Sequence, residues 1–100
     1  MKRIEKKILP GYFEAVRKGT KTFELRYDDS DYQVGDILVL KEYDGEKYTG
    51  RRCTREITYI LRDVLEFGLH VGWCILAIQP LGWREHQICA STDEQVFFDY

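Results

Sequence analysis

The run Gly19-Thr20-Lys21-Thr22-Phe23-Glu24-Leu25-Arg26 holds the residues best suited to chemistry. Charged and apolar side chains alternate through it. In an extended strand successive side chains point to opposite faces, so Glu24 and Arg26 share one face and Phe23 and Leu25 the other. The pattern predicts Phe23 and Leu25 anchored in the core. Lys21, at the turn or the mouth of the strand, joins Glu24 and Arg26 on the polar side. A carboxylate between two cations favours its charged form. Such a trio can hold a phosphate or the polar edge of a base, or assist a proton transfer. The same spacing also suits a plain surface ion pair, which would contribute little to stability.

The neighbouring elements must hold that run in place. Pro10 suits the first turn of a helix, where its missing N–H costs nothing. Tyr12, Phe13 and Val16 follow at helical spacing, and Arg17 and Lys18 complement the C-terminal end of the dipole. Gly19 supplies the left-handed stop. Thr22 to Tyr27 then alternates as a half-buried strand. After the polar loop 28–33 and the turn Val34-Gly35-Asp36, residues 37–43 form an apolar strand. Asp44-Gly45-Glu46-Lys47 is a hairpin signal. Residues 51–61 read as a long strand, with Ile57, Tyr59 and Leu61 on one face and Thr54, Glu56, Thr58 and Ile60 on the other. A connection over 62–72, with a helical turn near Val64 to Phe67, leads into the apolar run 73–79, expected to be a buried central strand. Without regular strand–helix alternation, these elements indicate a small α+β domain or barrel of five to six mostly antiparallel strands with one or two short helices.

Composition sets outer bounds. A chain of 100 residues with 44% apolar and 32% charged residues has room for one core. A net charge of −2 argues against a protein that coats nucleic acid by bulk electrostatics. The charge is polarised, however. Residues 1–26 carry eight basic against three acidic side chains, whereas 27–50 carry seven acidic against two basic. Arg51, Arg52 and Arg55 form a second basic cluster. The three cysteines, Cys53, Cys74 and Cys89, form no CxxC pair and no disulfide framework, so the expected setting is the reducing cytoplasm. No apolar leader or membrane-length stretch interrupts the chain.

Gly19-x-Lys21-x-x-Glu24-x-Arg26 resembles the GxKxxExR signature of ASCH domains. The likeness extends to Ile8-Leu9-Pro10-x-Tyr12-Phe13 before the helix, Val34-Gly35-Asp36-Ile37-Leu38 after the signature strand, Tyr48-Thr49-Gly50-Arg51, and Val71-Gly72-Trp73-Cys74-Ile75-Leu76. Together these segments, from about residue 7 to residue 79, resemble an uncharacterised bacterial and phage branch of the superfamily, catalogued as a domain of unknown function. The resemblance implies a PUA-like β-barrel over residues 1–80 with the signature along a cleft, and ligands that are RNA or modified nucleosides. One branch of that superfamily hydrolyses N4-acetylcytidine with a Lys, a Thr three residues later and a Glu from a later segment. Lys21 matches the Lys here. Glu24 stands where that branch has Thr, Thr22 falls out of register, and Glu66 is a poor match for the later Glu.

The principal expectation is a binding module. Lys21, Glu24 and Arg26 line the cleft, flanked by Lys6, Lys7, Arg51 and Arg52, and RNA or a nucleotide-like small molecule enters it. The alternative is a small hydrolase, an amidohydrolase or ribonuclease using Lys21 and Glu24. A second alternative is a protein-interaction domain in which the aromatic extension 81–100 packs on or beside the barrel or makes a homodimer. Trp73 and Trp83 read as core. His86-x-x-Cys89 has metal-like spacing without a second ligand pair, so no metal, and no cofactor, is expected.

Overall fold

The chain departs from its sequence pattern at the first residues: no strand is predicted before Pro10, yet Arg3–Ile8 forms one (β1). Its charges hide the alternation. Ile4, Lys6 and Ile8 take the more buried side and Arg3, Glu5 and Lys7 the exposed side. The long Lys6 stem can lie along apolar surface while its ammonium stays in water. The structure is a computed structural model and describes residues 1–84. The predicted roles of the 81–100 extension, and the His86–Cys89 spacing, lie outside the described residues beyond Arg84.

After β1 come a helix α1 (Pro10–Arg17) and four further strands, β2 (Phe23–Tyr27), β3 (Ile37–Tyr43), β4 (Tyr48–Leu61) and β5 (Trp73–Pro80). One short 3-10 turn, Leu65–Phe67, interrupts the link between β4 and β5. The strands form one mixed sheet in the order β1-β3-β4-β5-β2. Only β1 and β3 run parallel; the other neighbours are antiparallel. The sheet curls until its two edges approach each other, since the Arg26 guanidinium on β2 donates to the Lys7 carbonyl on β1 at 2.8 Å. The architecture is thus a small α+β half-barrel whose open seam lies between β1 and β2.

The core fills the concave side. Leu38, Leu40, Ile57, Leu76 and Ile78 line it, and α1 packs on β3 and β4 with Phe13 and Val16 fully inside. Burying a side chain such as Phe13 contributes about 2–3 kcal/mol. Arg55, read from sequence as part of a basic surface cluster, is buried and donates to the Val16 carbonyl at 3.1 Å. It ties the end of α1 to β4 through a carbonyl that the Gly19 N–H also reaches.

Two strand faces differ from expectation. On β4 a bulge between Ile57 and Tyr59 shifts the alternation, so Ile57 is buried, Ile60 packs on the core and Tyr59 is exposed. One extra residue on one strand flips every side chain beyond it. The run 73–79 does occupy an internal position, but only alternate side chains are buried, and Trp73 stands exposed at the strand's start. The reading of Trp73 as core is corrected accordingly. Among the described residues no helix is long and apolar enough to cross a membrane.

Candidate functional site

The end of α1 sets the site's geometry. Gly19, at φ +84°, donates to the Val16 carbonyl, and the N–H groups of Thr20 and Lys21 both reach Ala15. The chain therefore leaves the helix in a tight, fixed turn that delivers Lys21 beside the start of β2. The Thr22 carbonyl then accepts from the Ile78 N–H at 3.0 Å, fastening β2 onto β5.

On β2 the predicted sidedness is reversed. Glu24 pairs with Leu76 and Arg26 with Cys74, both fully buried, so Glu24 and Arg26 take the inner side of the curled sheet. Glu24 is 4% exposed, whereas Phe23 and Leu25 are 48% and 54% exposed. The physical reason is the seam. Where a barrel fails to close, its inner face meets solvent, and polar groups can occupy it if they are paired. The apolar positions of β2 rim the opening instead of filling the core.

The trio is closely bonded. The Lys21 ammonium contacts Glu24 Oε2 and donates to the Phe23 carbonyl at 2.7 Å. Arg26 Nε donates to Glu24 Oε1 at 3.1 Å, while Arg26 Nη2 crosses the seam to Lys7. Arg26 Nη1 makes no hydrogen bond among the described residues. The Lys21 ammonium also lies 5.6 Å from the Tyr12 ring centre and 4.9 Å from that of Phe23. Above these groups lies a cleft of about 460 Å³, bounded by Lys7, Ile8, Leu9 and Tyr12 on one side and by Lys21 and residues 23–26 on the other. The Lys21 and Arg26 cations and the Glu24 carboxylate line it, so it suits an acceptor-rich or anionic ligand with a flat apolar part. Nucleophilic thiol chemistry finds no support here: burial pushes the Cys74 thiol up, and Cys53 is fully enclosed. Among the described residues no group of three His, Cys, Asp or Glu side chains could hold a metal.

A model of the family described as "Domain of unknown function (DUF3850)" matches residues 5–78. The chain belongs to this family. The DUF3850 match runs from β1 through most of β5 and includes every residue that bounds the cleft. An uncharacterized 12.9 kDa protein in the GpA 3′ region of Escherichia phage P2 is 39% identical over 64 residues, 62% of this chain. The chain spans 59% of that relative's length.

Of the residues singled out from sequence, Lys21, Glu24 and Arg26 converge on this DUF3850 cleft, and Lys7 bounds it through the carbonyl that Arg26 binds. The Lys7 ammonium sits 4.3 Å from the Tyr43 ring centre. Arg51 and Arg52 do not line the cleft. Arg51 instead pairs with Glu14 on α1, lies 3.6 Å from Glu42 and covers the Phe13 ring. The pairing with Arg17 and Arg51 holds the Glu14 carboxyl down to about 2. Arg52 is exposed on β4 opposite Lys41. The flank expected from these two arginines is therefore absent from the cleft, because they lie on β4, the central strand, two positions in the sheet from either edge of the seam. Sequence reading gave Tyr12 to the helix's apolar stripe. It is 58% exposed and forms a cleft wall, a role signalled only by its place beside Phe13 at the edge of that stripe.

Proposed function

We propose that this chain is an ASCH-type, PUA-like module that binds RNA or a nucleotide-like ligand in the cleft between β1 and β2. The observation that carries this reading is the buried Glu24 carboxylate, held between Lys21 and Arg26 at the base of an open cleft with exposed aromatic walls. Each part answers a part of a nucleotide. Arg26 Nη1 and the Lys21 ammonium are donors for phosphate or base acceptors. Glu24 orients both cations and can accept from a base amino group. Tyr12 and Phe23 offer faces for stacking, as single-strand binders use aromatics. The convergence of the signature residues on one cleft supports the ASCH reading, and the curled sheet with a helix after its first strand suits a PUA-like fold.

The direct Lys21–Glu24 contact favours one second reading, a hydrolase. There Glu24 would act as general base and Lys21 would stabilise developing negative charge. Both Glu24 oxygens already carry a cation, which suits positioning better than proton abstraction.

The test is a thermal-shift and NMR titration with cytidine-type nucleosides, nucleotides and short single-stranded RNA at low and physiological salt. Binding is expected to perturb the Lys21, Glu24 and Arg26 signals. A folded Lys21→Ala/Arg26→Ala double variant that binds as well as wild type would overturn the reading. Chromatography of the same samples detects turnover, which the hydrolase reading requires to vanish in Glu24→Gln.

A further inference from the structure

The seam continues past Arg26. A second cavity of about 250 Å³ opens on the other side of the Arg26–Lys7 tie and shares Leu25 and Arg26 with the first. Its walls are Lys6, Tyr27, Asp29, Tyr32 and Trp73. None of these belongs to the signature trio, and the reading above does not use them.

Three features suit this cavity to a second ligand unit. Tyr27 and Trp73 meet edge to face, ring centres 5.6 Å apart, and both are substantially exposed. The Tyr27 ring lies close over Gly72, where a Cβ would come within 3.2 Å of it. An exposed aromatic ring held against a second one is a stacking platform. Next, the Lys6 ammonium stands 3.1 Å from Asp29, which it holds below the ordinary carboxylate range, and 5.9 Å from the Tyr32 ring centre. A cation is thus fixed at the cavity wall. Finally, the Tyr32 side chain is 1% exposed and closes one wall of the cavity.

The spacing of the two aromatic platforms is set by the strand. Phe23 and Tyr27 lie four residues apart on the same side of β2, about 13 Å along it. One base cannot touch both. Arg26, whose Nη1 makes no hydrogen bond among the described residues, stands between the two cavities.

We propose that the seam holds two successive units of a single nucleic-acid strand, one base against Tyr12 and Phe23, the next on Tyr27 and Trp73, with the linking phosphate at Arg26. This inference rests on the nucleotide-binding reading and specifies its ligand as a strand rather than a free nucleoside. The groove, lined by cations at its centre and by aromatic rings at both ends, complements a strand whose phosphate sits between two bases.

The experiment compares the four common ribonucleoside monophosphates with their homodinucleotides, by NMR titration of wild type, Tyr27→Leu and Trp73→Leu. The best dinucleotide is expected to bind about tenfold more tightly than its mononucleotide, the scale of one added base stack. It should also shift the Trp73 indole N–H, which the mononucleotide leaves in place. Either substitution should erase that advantage while the mononucleotide still perturbs Lys21 and Glu24; if one variant fails to fold, the other carries the test. Equal affinities for the two ligand lengths, or an advantage that survives substitution, would overturn the second subsite and leave the first reading standing. If neither length binds, both fall.

Discussion

Asp36 shows how one side chain can lock two segments. One carboxylate oxygen accepts from the Lys2 backbone N–H at 3.0 Å; the other accepts from the Lys2 ammonium at 2.7 Å and the Gln33 N–H at 3.0 Å. Burial pushes this carboxyl up, but the Lys2 ammonium and the two N–H groups outweigh it, leaving it below its ordinary 3.8. Because the folded value is depressed, the stabilisation is present above about pH 4 and is lost as pH falls through the folded value. Asp36→Asn is expected to cost about 2 kcal/mol at neutral pH, since the amide can no longer meet all three donors. In urea unfolding the gap between wild type and variant should narrow steadily from pH 5 towards pH 3. A gap independent of pH would show that the charge on Asp36 has no part in it. At this scale the sequence was informative about identity and less so about setting. Lys21, Glu24 and Arg26 stood out by type and spacing, but the burial of Arg55 and Asp36 depends on what packs over them, which no local pattern reports.

At the scale of elements, β2 teaches most. Its alternation was legible, and the strand falls where the pattern puts it. Its facing was not, because the rule that apolar side chains point inward assumes a closed core. At an unclosed seam the inner side borders the opening, and paired charges take it. The bulge in β4 was hidden for a related reason, since it is a property of pairing with β5 rather than of either strand alone. The turns were legible because they obey backbone sterics: Gly19 and Gly45 both have positive φ where reversal demands it. Gly72 extends that argument to the cleft. It sits at φ +87°, and a Cβ there would press on the Tyr27 ring at 3.2 Å. Its carbonyl also accepts from the Asp28 N–H just after β2. Gly72→Ala is expected to lose about 1–2 kcal/mol, chiefly from the left-handed backbone. It should also displace the Tyr27 ring signals while those of Lys21 and Glu24 hold. Unchanged stability and an unmoved Tyr27 ring would mean that the close approach at Gly72 does not position the platform.

For the whole molecule, the decisive property is how little positive surface the seam contains. The net charge is −2, and the acidic excess is concentrated in residues 27–50. Of the basic side chains on the other flank, Arg51 is engaged with Glu14 and Glu42 away from the cleft. The cations at the two seam cavities are Lys6, Lys21 and Arg26, since Lys7 meets the cleft through its carbonyl. A strand bound there therefore has about three phosphate contacts at most, and single-stranded binding loses affinity with salt in proportion to that number, giving a slope of log K against log salt of about −2. Anisotropy of a labelled short RNA should accordingly show roughly a fifteenfold weakening between about 50 and 200 mM salt. Neutralising Arg26, the cation placed between the two cavities, should flatten the slope by roughly 0.7, the share of one contact. Arg52→Gln should leave it unchanged. A far steeper slope, or equal sensitivity to both substitutions, would mean that the strand spreads over the basic exterior, and the seam would lose its claim to be where binding is focused.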